Sequence, residues 1–400
     1  MAVPVAPKSR FVPADFWSSV TPEHLVYFCL NVGDADAQVL VLPAVPTGEL
    51  DPAGDPIRRR PVMVVDAGSA SPPSQVPKPT KLRRFLDALP DASSGGVPSI
   101  DIIDVVVATH PHGDHIGGLP DLLAAYDGRV AEYWDPGYFH PTGTYFKIME
   151  LLARQTGVVY VQPTSGLRRF IGDTEVTVLT PAVGLRNRYD TYGIDVNNAS
   201  ISLRVATPAG RAKFVPDESW QLLDGVDERH QFSLVLGADS QTESWSQAMN
   251  DFPQLVKSES EIAKAIGAAT SNRDFLRADV LKVAHHGSKK GVSYELVDRM
   301  KPEFLIVSCA ATSSHGFPHS LNQHILREAK LKLAKAGGVH RPEDDHLRGV
   351  FYTAQRDTGD ALLGSVAVVG STSSDVEMWR LGDTPSEVPD FTKARRWVKS

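Results

Sequence analysis

Residues 109 to 118 read THPHGDHIGG, which sets three histidines and an aspartate within six consecutive positions. Three imidazoles in a solvated loop gain nothing from packing, and an adjacent carboxylate raises their pKa toward a cationic form that repels its neighbours. A positive charge held between them resolves the conflict. The two-residue spacing of His110 and His112 lets both imidazoles chelate one ion from an extended loop, while Asp114 and His115 turn toward a second position. Hydrolytic sites with two metals hold their ions about 3.5–4 Å apart, and this many nitrogen and oxygen ligands in one loop suits such a pair.

The elements around this loop are those of a layered α/β fold. The β-rich runs HLVYFCLNV (24 to 32) and QVLVLPAV (38 to 45), separated by the turn GDADA, predict a hairpin. RRPVMVVDAGS (59 to 69) predicts a third strand and IDIIDVVVATH (100 to 110) a fourth, so the ligand loop lies between a buried strand and the helix that begins with IGGLPDLLAAY. Further strands are expected at 175 to 181, 200 to 208, 232 to 240, 278 to 288 and 302 to 310, with VFYTAQ and SVAVVGS as late ones. Several deliver polar residues at their C-terminal ends, which is how such folds build a site. LNQHILREAKLKLAKAGG (321 to 338) predicts a helix ending in a glycine cap. The stretch 70 to 99 reads as a surface insertion around the amphipathic piece KLRRFLDAL, and 131 to 170, 215 to 231 and 241 to 277 as further insertions, the last helical, with PQLVKSESEIAKAIGAA as its clearest stretch. Residues 1 to 23 and 371 to 400 read as tails outside a domain spanning 24 to 370.

Composition narrows the setting. With 400 residues and 42% hydrophobic content the chain can bury a core. A net charge of −7 and a pI near 6.0 exclude a broad basic surface of the kind that binds duplex DNA by phosphate contacts alone. The local basic clusters at Arg58, Arg59 and Arg60, at Lys81, Arg83 and Arg84, and at Lys289 and Lys290 read as solvated faces. The start MAVPVAPKSRFVPADFW lacks the apolar run of a signal peptide, and no stretch reaches the ~18 apolar residues of a membrane span, which predicts a cytoplasmic protein that does not enter a membrane. Cys29 and Cys309 sit inside apolar runs and are expected as buried thiols, so the metal site uses no sulfur.

HPHGDH after a Val-rich strand resembles the metal-binding motif of the metallo-β-lactamase superfamily. Other segments resemble its ComEC-like branch, the nuclease-like domain of DNA-uptake proteins: NVGDADA (31 to 37), VVDAGS (64 to 69), NNAS (197 to 200), LGADS (236 to 240) and VAHHGS (283 to 288), in that order. The resemblance implies a four-layer αβ/βα sandwich that binds two divalent metal ions. His110 and His112 would hold the first, Asp114 and His115 the second, and Asp239 would bridge them. One of His285 and His286 would complete the second site. Adjacent strand residues point to opposite sides, so the first assignment gives His285 to the metal and leaves His286, with Asp114 and Asn197, for the reaction. The chain departs from the superfamily where a third histidine for the first metal is usual, offering Asn197 or Asn198, and where ComEC-like chains carry Gly-His-Pro-His, reading GFPH with Phe317 and His319. His140 and His230 lie in insertions and are not expected at the site, and Ser288 and Lys289 read as turn residues.

The ligand types suit zinc and also manganese. A water between two such ions loses a proton near neutral pH and attacks phosphorus or a carbonyl in line, so no serine nucleophile is needed. The leading expectation is a phosphodiesterase or nuclease. The alternatives are a hydrolase of a small molecule (a phosphocholine ester, a lactone or a β-lactam), and an effector subunit active only with a protein partner bound through its insertions. A flavodiiron-type redox role is disfavoured, because such sites carry Glu where His112 stands.

Overall fold

In this computed structural model the described residues are 3–6, 8–69, 71–72, 75–89, 100–185, 196–208, 212–215, 219–222, 231–252, 276–335, 349–372 and 375–398. Two mixed sheets dominate. The ten-stranded sheet runs in the order β1 (Phe11–Pro13), β21 (Arg395–Trp397), β20 (Val376–Arg380), β19 (Val366–Gly370), β2 (Leu25–Cys29), β3 (Ala37–Val41), β6 (Val62–Ala67), β7 (Ile103–Val107), β8 (Val130–Trp134) and β9 (Val159–Val161). The seven-stranded sheet runs β10 (Arg168–Ile171), β11 (Thr174–Thr180), β12 (Ser202–Thr207), β15 (Phe232–Leu236), β16 (Val280–Lys282), β17 (Phe304–Val307) and β18 (Gly349–Tyr352). Two hairpins stand apart, β4 (Val45–Leu50) with β5 (Pro56–Arg59) and β13 (Ala212–Val215) with β14 (Ser219–Leu222).

Most strands of both sheets are buried throughout because each sheet is covered on both faces. In β2, Leu25, Tyr27 and Cys29 point between the sheets, where they meet residues such as Leu203, Phe232, Leu234 and Ile306. Val26 and Phe28 point outward to helices α1 (Lys81–Ala88), α3 (Leu119–Ala125) and α4 (Gly143–Arg154), through Phe85, Leu122 and Ile148. The outer face of the second sheet, with Val235, Leu281 and Leu305, is covered by α5 (Thr242–Asp251), α6 (Tyr294–Met300) and α7 (Ser320–Lys335), through Trp245, Leu296 and Leu326. The result is the four-layer αβ/βα sandwich.

The expected central strands form where the sequence places them, and Cys29 and Cys309 are buried free thiols. Three expectations are corrected. The stretches 1 to 23 and 371 to 400 are not tails: β1, β20 and β21 extend the large sheet, with Phe16 and Trp379 in its core. Nor is 131 to 170 an insertion, because β8, α4 and β9 continue the parallel ladder from β7, and β10 edges the second sheet. Of 241 to 277, α5 packs on the second sheet, while PQLVKSESEIAKAIGAA lies outside the described residues, as do His230 and the glycine cap expected at 337 and 338. No helix among the described residues is long and apolar enough to cross a membrane.

Candidate metal centre

The loops that leave the C-terminal ends of β6, β7, β15 and β16 converge at one edge of the sandwich. They are locked to one another by backbone contacts. Asp36 N donates to Asp114 O (3.0 Å) and Gly68 N to Asp36 O (2.7 Å). A Cβ at Gly68 would lie 1.5 Å from Asp114 O, so only glycine admits this approach. His285 N donates to Ala238 O (2.8 Å), which ties the paired-histidine turn to the loop bearing Asp239.

After β7 the chain enters α2 (Gly113–Ile116), which presents Asp114 and His115 from its first turn. His110 Nε2 and His112 Nδ1 lie 3.1 Å apart and face the same point. The Asp239 carboxylate spans the centre. Its Oδ1 is 3.2 Å from His115 Nε2 and 3.9 Å from His286 Nε2, and its Oδ2 is 3.7 Å from His110 Nε2 and 3.5 Å from His285 Nε2. Asp114 Oδ2 lies 3.6 Å from His286 Nε2 and 3.9 Å from His115 Nε2. One ligand atom from each of Asp114, His115, Asp239 and His286 falls within 4.8 Å of all the others.

His286, and not His285, therefore joins the Asp114, His115 and Asp239 cluster, which reverses the first assignment of the pair. Strand alternation does not apply because both residues have left the strand. Their φ angles are 52° and 53°, a left-handed turn held by the bond from His285 N to Ala238 O. That turn directs His286 inward, with Nδ1 3.2 Å from Ser308 O. It leaves His285 on the outer side, with Gln241 Nε2 3.2 Å and Asn197 Nδ2 3.5 Å from its Nδ1.

The donor set fits metal ions. His115 Nε2, Asp239 Oδ1 and His286 Nε2 are buried and have no hydrogen-bond partner among the described residues, though buried polar atoms are normally paired. Ligands about 2.0–2.2 Å from a first-row ion stand roughly 3.3–3.6 Å from each other, close to the spacings here. Electrostatics agree. Burial opposes charge on His115, but Asp239, Asp66 and Asp114 outweigh it and hold the imidazole well above its ordinary pKa. Burial also opposes charge on Asp239 and Asp114, yet His115 and its neighbours keep both carboxyls below the usual carboxylate range. His110, with burial and His115 both against its charge, is pushed well down and keeps a lone pair for an ion.

Residues that the sequence reading quoted without assigning a role support the ligands. Asp66 Oδ2 accepts from His115 Nδ1 (2.7 Å) and from the Thr109 hydroxyl (2.8 Å), and its Oδ1 accepts from Thr109 N (2.8 Å). Asp36 accepts from Lys282 Nζ and from the Ser308 hydroxyl. For Asp66 and Lys282 the signal was a single charge inside an apolar run, VVDA and VLKVA, whereas Asp36 lies in the turn GDADA. Around the centre opens a cleft of about 620 Å³ walled by Asp34, Ser69, Ser71, Thr312, His315 and Phe317, among others. Phe317 lies over the histidine pair, its ring 5.4 Å from that of His285, and His315 stacks on it at 5.7 Å. Asn197 reaches the cleft, whereas Asn198 turns to α5, bonding Glu243 and Ser244. The ring of His140 stands 6.1 Å from that of His112, nearer than its sequence position suggested. His319 accepts from Leu321 N, a structural role at the start of α7.

Residues 58–230 match the family model of the metallo-β-lactamase superfamily. The chain is 24% identical over 233 residues to ComE operon protein 3 of Bacillus subtilis (strain 168), a match covering 58% of this chain and 23% of that one, so the chain spans about a quarter of that relative's length. Among solved structures it is similar to the metallo-β-lactamase fold protein YhfI from Bacillus subtilis (12% identity, 87% of this chain and 99% of that one, TM-score 0.38). It is also similar to a long form RNase Z from yeast (11% identity, 85% and 42%, TM-score 0.38).

Proposed function

We propose that this chain, whose residues 58–230 match the family model of the metallo-β-lactamase superfamily, is a metal-dependent hydrolase acting as a phosphodiesterase or nuclease. The observation that carries the reading is the Asp239 carboxylate, with one oxygen toward His115 and His286 and the other toward His110 and His285. Two divalent ions held by these residues, zinc or manganese by ligand type, would lower the pKa of water toward neutrality and offset charge growing on phosphoryl oxygens.

The chain's own groups prepare that chemistry. Asp66 accepts from Nδ1–H of His115 and the Ser308 carbonyl from Nδ1–H of His286, so each turns its Nε2 inward, where an ion would take the place of the proton that the surrounding carboxylates otherwise hold there. Burial and then the neighbouring His286 and His115 work against a proton on His285, outweighing Asp239, so His285 is held neutral at the mouth of the cleft. Beside it the Asn197 amide can donate to a substrate oxygen. Phe317 covers the histidine pair from one side of the cleft.

One observation favours the small-molecule reading: among the described residues lining the cleft there are three aspartates and no Lys or Arg. Cleavage assays separate the two. Protein loaded with zinc or manganese is offered labelled single- and double-stranded DNA and bis(p-nitrophenyl) phosphate beside Asp114→Ala. The proposal expects cleavage that falls by at least about 10²-fold in the variant. Cleavage of small esters or lactones without any phosphodiester cleavage would transfer the assignment to the small-molecule reading.

A further inference from the structure

The metal cleft does not end at Ser69 and Ser71. Both residues also wall an adjoining groove of about 480 Å³ bounded by residues 76 to 81, Arg84, Pro385 and Ser386. The charge of the two spaces differs. The cleft is lined by Asp34, Asp114 and Asp239, whereas the groove is lined by Lys78, Lys81 and Arg84 with no Asp or Glu among its described residues.

The three cations are not equivalent. Lys81 is buried and committed, its Nζ 2.5 Å from Asp383 Oδ2 and donating also to Asn31 O (2.8 Å) and Thr384 O (2.7 Å). Lys78 is exposed and makes no hydrogen bond or ion pair among the described residues. Arg84 spends one donor on Ser386 O (3.0 Å), while its Nε is buried with no hydrogen-bond partner among the described residues. Two cations thus retain donors for an anion.

The wall that carries them is fixed to the metal loop. Thr80 N donates to Asp121 Oδ2 (2.9 Å) at the start of α3, and Gly118 N to Ala67 O (2.6 Å). A Cβ on Gly118 would meet Thr80 Cγ2 at 3.2 Å, so the two segments are in close contact. The distance from the ligand loop to the groove is therefore set by packing.

We propose that this groove binds a second phosphate, the one adjoining the phosphodiester under attack, and that the substrate is an oligonucleotide strand lying across Ser69 and Ser71. The inference rests on the phosphodiesterase reading and narrows it to chain substrates. The neutral hydroxyls at the junction suit a sugar between two phosphates, and Lys78 with Arg84 meet the phosphate beyond.

The test uses the full chain loaded with zinc or manganese, with Lys78→Ala, Arg84→Gln and the double variant. Substrates are a labelled single-stranded oligodeoxynucleotide and bis(p-nitrophenyl) phosphate, which has no second phosphate. Anisotropy of the labelled strand, measured in an Asp114→Ala background, reports binding without turnover. In the double variant KM and Kd for the strand are expected to rise about tenfold or more. The slope of log Kd against log salt should flatten by about 1.4, two contacts at roughly 0.7 each. Activity on the small diester should stay within about twofold. Lys78→Ala alone, at an exposed position, should give part of the effect with no change in melting temperature. Unchanged strand affinity and salt slope would overturn the subsite, as would equal losses on both substrates. If the wild type cleaves neither substrate, the phosphodiesterase reading falls, and the anisotropy arm still decides whether the groove holds the strand.

Discussion

Asp66 illustrates how much of the centre depends on residues that would never touch an ion. Its two oxygens are filled by donors, Thr109 N on one and His115 Nδ1 with the Thr109 hydroxyl on the other. Asn at this position would turn its own N–H₂ against one of those donors and release the His115 ring. Asp66→Asn is expected to weaken metal binding about 10- to 100-fold with little change in the melting temperature, read by competition with a chromophoric chelator. Unaltered metal affinity would show that His115 is oriented by packing alone. At this scale the sequence was informative where spacing is local: HPHGDH placed four ligand candidates within six residues, and the structure brings all four together. It was uninformative for His285 and His286, because the turn that separates them depends on a bond to Ala238, far off in the chain.

At the scale of elements, the two sheets are joined under the centre by one buried ion pair. Lys282, ending β16, reaches Asp36, which precedes β3 in the other sheet, and both side chains are fully buried. Burial penalises both charges, but Lys282, followed by His286 and His115, holds the Asp36 carboxyl below its ordinary value, and Asp36 with its neighbours holds the Lys282 ammonium above its own. The sign follows. A depressed carboxylate contributes stability above its unfolded pKa of about 4 and loses it as pH falls through the folded value. A raised lysine contributes below about 10.4 and loses it as pH rises beyond. The pair is thus fully effective between these limits. Lys282→Met leaves an uncompensated carboxylate and is expected to cost about 3–5 kcal/mol at pH 7, with the gap to wild type narrowing in acid. Urea melts across pH measure it, and a gap independent of pH below 4 would contradict this account. In the sequence Lys282 is a single charge inside an apolar run and Asp36 one of two aspartates in the turn GDADA; their pairing across sheets is a tertiary fact.

For the molecule as a whole, the termini close the large sheet. β1 pairs β21, β21 pairs β20, and Phe391 packs against Phe16 (5.2 Å between ring centroids) and Phe85 of α1 (6.2 Å). Periodicity missed β1 and β21 because they are short and lie at the sheet's edge, where FVP buries one residue and RRW none fully. Deleting residues 391 to 400 is expected to lower the melting temperature by roughly 5 °C or more. An unchanged transition would mean that the terminal strands are ornament. The central strands, by contrast, were legible as long Val- and Ile-rich runs, since burial on both faces leaves that mark on sequence.

The central claim is that the constellation around Asp239 holds a pair of divalent ions. It is tested most directly by the metal content of the purified chain after incubation with zinc or manganese and removal of the excess, measured by plasma mass spectrometry beside Asp239→Ala. The account predicts two equivalents on the wild type and at most one on the variant. Wild-type protein retaining no metal, or a variant retaining as much as the wild type, would contradict it.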